Sequence, residues 1–378
     1  MIRSLLAGLI CSLSLSLCAD ASTLLATLTA SDGQPYDAFG FSAATAGNTI
    51  VVGAVGPDRS GVYVFVKPPN GWHNMTQTAK LAFSDGASEA QGYSVAISGD
   101  VVAVGAPGAV IDGRGQGAVY IFVKPAGGWT GMTETAKLTA SDGQQADNLG
   151  FSLNLQENTL VAGTSAGKTY VFVRPKNGWA DGTQTGEDAS GGGWSVGISH
   201  GVAVSGTRGL RTIYLFQKPA SGWKDMALTA RLTASDSPAS FAGEGVGIDG
   251  DTVVGDALVK LQNGVGISYV FVRPADGWKD MTETARLTAA NQPGKGFVGP
   301  RIKGSQIGTS SDAGPSSIYI YDKPASGWQT TSSYNHRIRE TGGGTGDSFG
   351  LAVLGAKILV AGSPHLGNGV AYVYKKPN

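Results

Sequence analysis

Short apolar runs rich in β-branched and aromatic residues recur along this chain, each bounded by glycine, proline, asparagine or aspartate. That is the pattern of short strands joined by turns. One type of run opens on Gly-aromatic and is half apolar, as in Gly40-Phe41-Ser42-Ala43, Gly92-Tyr93-Ser94-Val95-Ala96-Ile97 and Gly150-Phe151-Ser152-Leu153. A turn such as Gly47-Asn48 or Gly99-Asp100 leads to a second run, apolar throughout: Thr49-Ile50-Val51-Val52-Gly53-Ala54 and Val101-Val102-Ala103-Val104-Gly105-Ala106-Pro107. Continuous apolar character suits a strand buried on both faces. A third run, Tyr63-Val64-Phe65-Val66, ends on Lys67-Pro68 and is followed by Gly71-Trp72. The Pro-x-x-Gly phrase predicts a turn, because Pro presets φ and Gly tolerates positive φ. Thr135-Ala136-Lys137-Leu138-Thr139-Ala140 and Thr284-Ala285-Arg286-Leu287-Thr288-Ala289 predict a fourth strand, with Asp85-Gly86 and Asp142-Gly143 turning the chain into the next unit.

The unit recurs. Its proline stands at Pro68, Pro125, Pro175, Pro219, Pro274, Pro324 and Pro377, a period of about 50 residues that belongs to radial repeat architectures. Seven units fill residues 22–378 and leave no room for a second domain. Four short strands repeated seven times predict an all-β fold, a seven-bladed β-propeller of four-stranded antiparallel blades. Leu24 to Asp32 matches the fourth-strand phrase with no first three strands before it, whereas the last unit stops after Tyr372-Val373-Tyr374. The N-terminal strand is therefore expected to complete the last blade and close the ring.

Phe39-Gly40, Leu149-Gly150 and Phe349-Gly350, with Val52-Gly53-Ala54-Val55, Val104-Gly105-Ala106-Pro107 and Ala361-Gly362-Ser363-Pro364, resemble the FG-GAP repeat. That resemblance spans nearly all of the chain after residue 21. It implies the seven-bladed propeller of integrin α-subunit heads and of many bacterial secreted proteins. Integrin-type repeats often bind calcium in the loop after the second strand through Asp-x-Asp-x-Asp-Gly. Here those loops read Gly56-Pro57-Asp58-Arg59-Ser60-Gly61, Gly108-Ala109-Val110-Ile111-Asp112-Gly113 and Ser310-Ser311-Asp312-Ala313-Gly314. None offers two acidic groups toward the six to eight oxygens calcium needs, so the resemblance carries over the fold and no metal or other cofactor. The fourth and sixth units depart most. Gly192-Gly193-Trp194 replaces Phe-Gly-aromatic, and Ile307-Gly308-Thr309-Ser310 replaces the apolar Gly-Ala-Pro strand. These blades are expected to pack less well or to carry the divergent surface.

The chain has 378 residues, with 28 Lys+Arg against 28 Asp+Glu and 58 glycines. Zero net charge argues against nucleic-acid or anionic-membrane partners, and the glycine excess fits a fold rich in tight turns. Met1-Ile2-Arg3, the apolar stretch Leu5 to Leu17 and Ala19-Asp20-Ala21 read as a signal peptide over residues 1–21, which predicts a secreted, periplasmic or extracellular protein. Both cysteines, Cys11 and Cys18, lie in that leader. Lipidation at Cys18 is the rival reading, weakened by Leu17 where a small residue normally stands. No later stretch is apolar enough for a transmembrane segment.

Several features invite a chemical reading, and the first two also have a plainer one. The Gly-Trp tryptophans could stack sugars at the rim. Alternatively they pack beside their turns with Met75, Met132, Met226 and Met281 three residues on. Asp37, Glu89, Asp147 and Asp347 stand three residues before a repeat glycine and could form part of a ligand-binding acidic ring, or cap turns by accepting backbone N–H bonds. The histidines, His73, His200, His336 and His365, fall at different phases of the repeat and suggest no metal site. Asn74-Met75-Thr76 fits a glycosylation sequon. No nucleophile elbow occurs and no catalytic residue stands out. The leading expectation is a non-enzymatic scaffold for adhesion to an extracellular protein or surface glycan. A carbohydrate-binding propeller using rim aromatics comes second, and a hydrolase or lyase at the central channel third.

Overall fold

The computed structural model describes residues 22–377 apart from 57–59, 86–89, 208–211, 225, 237–240, 258–265, 290–296, 312–315 and 341–349. The leader, Glu89, Asp347 and two of the three loops compared with calcium sites fall wholly or partly outside the described residues.

Each repeat folds as the apolar pattern dictates. The Gly-aromatic run is the innermost strand, the apolar run the second, the Tyr-x-Phe run the third and the Thr-Ala-Lys-Leu run the outermost. In blade 1 these are Phe39–Ala46, Thr49–Val55, Ser60–Val66 and Ala79–Leu81, paired antiparallel in that order. Seven such sheets form the ring. Blade 7 is composite: Gly350–Leu354, Ile358–Ser363 and Val370–Lys375 are completed by Leu24–Thr29, with Leu28 opposite Ala371 and Ala26 opposite Val373. Closure by the N-terminal strand is thus built from backbone pairing.

Apolar side chains leave each sheet on both faces and meet those of the neighbouring blade. Val62, Val64 and Leu81 of blade 1 pack with Val102, Val104, Tyr120 and Phe122 of blade 2. The core is accordingly a set of seams between blades. Each Pro-x-x-Gly turn is closed by the glycine N–H donating to the proline carbonyl, as from Gly128 to Pro125 (2.9 Å). Proline therefore opens the turn and glycine ends it with φ near 100°, for example 101° at Gly128. The following Trp enters a seam. Trp129 joins the cluster between blades 1 and 2, Trp223 that between blades 3 and 4, and Trp278 that between blades 4 and 5. Trp129, Trp179, Trp223, Trp278 and Trp328 are between 1% and 7% exposed.

Among the described residues, the segment after five of the six Gly-Trp tryptophans straps its blade to the one before. Met75–Thr76 lies parallel to Leu28–Thr29, Gly182–Thr183 to Leu138–Thr139, and Met281–Thr282 to Leu232–Thr233. Side chains finish the strap. Asn74 Oδ1 accepts the Thr27 N–H (2.8 Å) and Gln77 Oε1 accepts the Ser31 N–H (2.9 Å). Asp280 and Glu283 repeat this on Arg231 and Ser235. The aspartate after each such serine then receives the tyrosine hydroxyl and the cation of the next blade. Asp85 accepts from Tyr120 (2.7 Å) and Lys137 (2.6 Å), and Asp32 from Tyr63 (3.0 Å) and Lys80 (2.5 Å). The two worn units still pack: Gln306–Ser311 of blade 6 is buried along its whole length, now with Gln306, Thr309, Ser310 and Ser311 inside. Among the described residues no helix is long and apolar enough to cross a membrane.

Candidate functional site

The two glycines of the repeat phrase meet across a seam. In blades 1 to 4 a glycine with positive φ stands at or just before the start of the innermost strand: Gly40 (96°), Gly92 (84°), Gly150 (90°) and Gly193 (99°). Its carbonyl presses on the second-strand glycine of the preceding blade. Gly362 faces Gly40, Gly53 faces Gly92, Gly105 faces Gly150 and Gly163 faces Gly193, each with no space for a Cβ. The serine two residues after the glycine binds the same carbonyl row. Ser42 Oγ donates to Gly92 O (2.7 Å), Ser94 to Gly150 (2.7 Å) and Ser152 to Gly193 (2.8 Å).

This seam fixes the residue between that glycine and serine. Phe41, Tyr93, Phe151 and Trp194 come from the same position of four consecutive blades and form one arc around the axis. Ring centroids are 5.1 Å apart from Phe41 to Tyr93, 4.9 Å from Tyr93 to Phe151 and 4.5 Å from Phe151 to Trp194, with interplanar angles of 51°, 36° and 45°. All four line an axial funnel of about 820 Å³. Phe41 is 43% exposed, and the other three are half-buried. Large aromatics elsewhere mostly sit inside seams, so this arc stands apart.

Blades 5 to 7 line the funnel differently, with Gly245, Asp249, Gly299, Arg301, Lys303, Ser310 and His365. Asp256 takes the place of the second-strand glycine in blade 5. It is buried and accepts N–H bonds from Gly245 of its own blade (2.8 Å) and Gly299 of the next (3.2 Å). Arg301 donates Nε to Ala352 O of blade 7 (3.2 Å). Burial draws its guanidinium below the usual range, and the nearby Asp256 carboxylate opposes that shift. Asp249 is engaged through both oxygens, with Lys303 Nζ (3.0 Å) and the Gly304 N–H (2.7 Å).

Asp37 and Asp147 do not line this funnel. Asp37 accepts the Gln34 N–H (2.7 Å), and Asp147 the Gln144 N–H (2.9 Å) and Lys168 Nζ (3.3 Å). Each sits between two residues of positive φ, Tyr36 and Ala38 in one loop and Ala146 and Asn148 in the other, so the carboxylates brace strained turns. Glu89 and Asp347 lie outside the described residues. Five of the six rim tryptophans are too buried to offer a stacking face, and Trp72, the sixth, is half-buried against the seam between blades 7 and 1. Asn74 of the sequon is spent on holding the closing strand. Asp112 stands at the tip of a tight hairpin in which Ile111 and Arg114 exchange backbone bonds, and among the described residues no three His, Cys, Asp or Glu side chains gather as a metal site. Sequence reasoning quoted the Gly-aromatic run only as strand pattern. The signal for the arc was the recurrence of an aromatic at one phase of an innermost strand.

Residues 23–65, 75–122 and 132–172 match the family model described as FG-GAP repeat. No curated protein matches significantly. Among solved structures, the WD40 β-propeller domain of Doa1 is similar at TM-score 0.58 and 12% identity, covering 94% of this chain and 98% of that one. The WD40 domain of Toxoplasma gondii coronin gives 0.55 at 11% identity, with 95% and 89% covered. The computationally designed Ika8 protein gives 0.54 at 15% identity, with 93% and 99% covered. These likenesses concern the fold alone.

Proposed function

We propose that this propeller with FG-GAP repeats is an extracellular, non-enzymatic adhesion scaffold that receives its partner at the aromatic end of the axial funnel. The observation carrying this reading is the half-exposed arc of Phe41, Tyr93, Phe151 and Trp194. Aromatic faces left partly in contact with water in a concave site mark a place where a ligand replaces that water. The signal-peptide pattern of residues 1–21 supports the extracellular setting. Against a channel hydrolase stands the engagement of Asp249 with Lys303 and Gly304 and of Asp256 with two backbone N–H groups, which leaves neither carboxylate poised for acid–base work.

The test is binding of the fluorescently labelled protein to intact cells of its source, comparing wild type with Phe151→Ala. Saturable binding that drops in the variant, at a melting temperature within a few degrees of wild type, is the expected result. Equal binding by both proteins overturns the placement at the funnel, and no binding by wild type overturns adhesion.

A further inference from the structure

The funnel's two walls differ in chemistry. One is the aromatic arc at the start of the innermost strands of blades 1 to 4; across the axis stand the polar side chains of Arg301 and His365, with Lys303 farther along at the end of its strand. Resting on the reading that the partner enters this funnel, we infer that what enters is a pyranoside segment of a glycan. A pyranose ring is amphipathic in the same sense, with a face of C–H groups for the aromatic wall and a rim of hydroxyls for the polar side chains.

The competing occupants fit less well. A wholly apolar ligand would cover the exposed His365 ring nitrogens without giving them a partner, and burying an unmatched polar group costs binding energy. A cation would be set against Arg301 and Lys303, whose neighbouring carboxylates, Asp256 and Asp249, are already engaged. A protein surface needs roughly 800 Å² per partner for a stable interface, whereas a funnel of about 820 Å³ lies in the range of small-ligand sites, roughly 300 to 1,000 Å³. The tilts of 36° to 51° between successive rings make a curved wall, which favours a short bent oligosaccharide over a flat crystalline polymer face.

The decisive experiment titrates the protein against an array of defined gluco-, manno-, galacto- and uronate-series oligosaccharides. Wild type should bind at least one series saturably, and Phe151→Ala and Trp194→Ala should each weaken that binding about tenfold or more. Tyr36→Ala, on an exposed loop residue outside the funnel, should leave it unchanged. A flat array overturns the inference, as does equal binding by wild type and both arc variants. The cell-binding assay separates the two levels. If wild type binds cells, the arc variants do not, and periodate oxidation of surface sugars changes nothing, the glycan falls and the funnel stands. If the arc variants bind cells as wild type does, the funnel itself falls.

Discussion

Seams on the two sides of the ring solve one packing problem differently. From blade 7 through blade 4, neighbouring blades are set together by the second-strand glycine of one against the entry glycine of the next, with carbonyls resting where a Cβ would stand. At the seam between blades 5 and 6 a buried carboxylate, Asp256, does the joining by gathering N–H groups from both blades. The first solution depends on absent atoms, tolerates no side chain and repeats faithfully. The second depends on charge in a low-dielectric interior, where each hydrogen bond is stronger and each unpaired partner dearer. The aromatic arc coincides with the glycine seams and ends where they do, after blade 4.

The largest effect is expected where the ring depends on a noncovalent closure. Removing residues 22–31 strips blade 7 of its outermost strand and leaves an open edge, so cooperative unfolding should be lost and aggregation should appear in light scattering. A truncated protein that melts as wild type does would show that the glycine seam between blades 7 and 1 suffices alone.

Asp256→Ala comes next. It orphans two N–H groups and removes the charge beside Arg301, at an expected cost of about 3 to 5 kcal/mol in chemical denaturation. The double variant Asp256→Ala with Arg301→Met should recover part of that loss, because the guanidinium is no longer stranded. Strict additivity of the two would mean that Asp256 acts through its backbone bonds alone.

Gly105→Ala probes the other kind of seam. A methyl group there collides with the Gly150 carbonyl and with Ser94 Oγ, and backbone cannot step aside cheaply, so roughly 1 to 3 kcal/mol or somewhat more should be lost. Gly99→Ala has φ of 57° and open space around it, and should cost only about 1 kcal/mol through conformation. Equal costs at the two positions would refute the glycine-seam account.

Much of this architecture was legible from residues. Period, strand order, closure by Leu24–Thr29 and the burial of the Gly-Trp indoles all follow from local pattern, since each strand reports its own two faces. The site was hidden for the opposite reason. Phe41, Tyr93, Phe151 and Trp194 stand dozens of residues apart in the sequence, and only the ring brings them within 5 Å or so of one another. Asp37 and Asp147 looked more like chemistry because acidic residues at a regular phase attract notice, yet one oxygen of each accepts a backbone N–H of its own loop. Asp256 went unremarked because its sequence neighbours are ordinary, and its meaning comes from a glycine in the next blade.

The smallest effect concerns the latches and should appear in acid. Burial alone would raise the carboxyls of Asp32, Asp85 and Asp142, but hydrogen bonds from Lys80 and Tyr63, Lys137 and Tyr120, and Lys168 and Tyr170 outweigh it and hold all three below the usual value of 3.8. A carboxylate with a depressed folded value contributes stability that is fully present above its unfolded value and fades as pH falls through the folded one. These side chains are 35% to 44% exposed, so solvent limits each latch to under about 1 kcal/mol. In the second half Glu283 is lowered from 4.5: burial opposes the shift, and the Ser235 N–H and Arg286 outweigh it. Melting temperature should therefore stay level from neutral pH to about 5 and decline below about 4. Asp85→Asn should lower the neutral plateau slightly and flatten that decline, because its latch no longer has a charge to lose. If the acid decline of Asp85→Asn matches wild type, the tyrosine hydroxyl and not the lysine charge holds the latch.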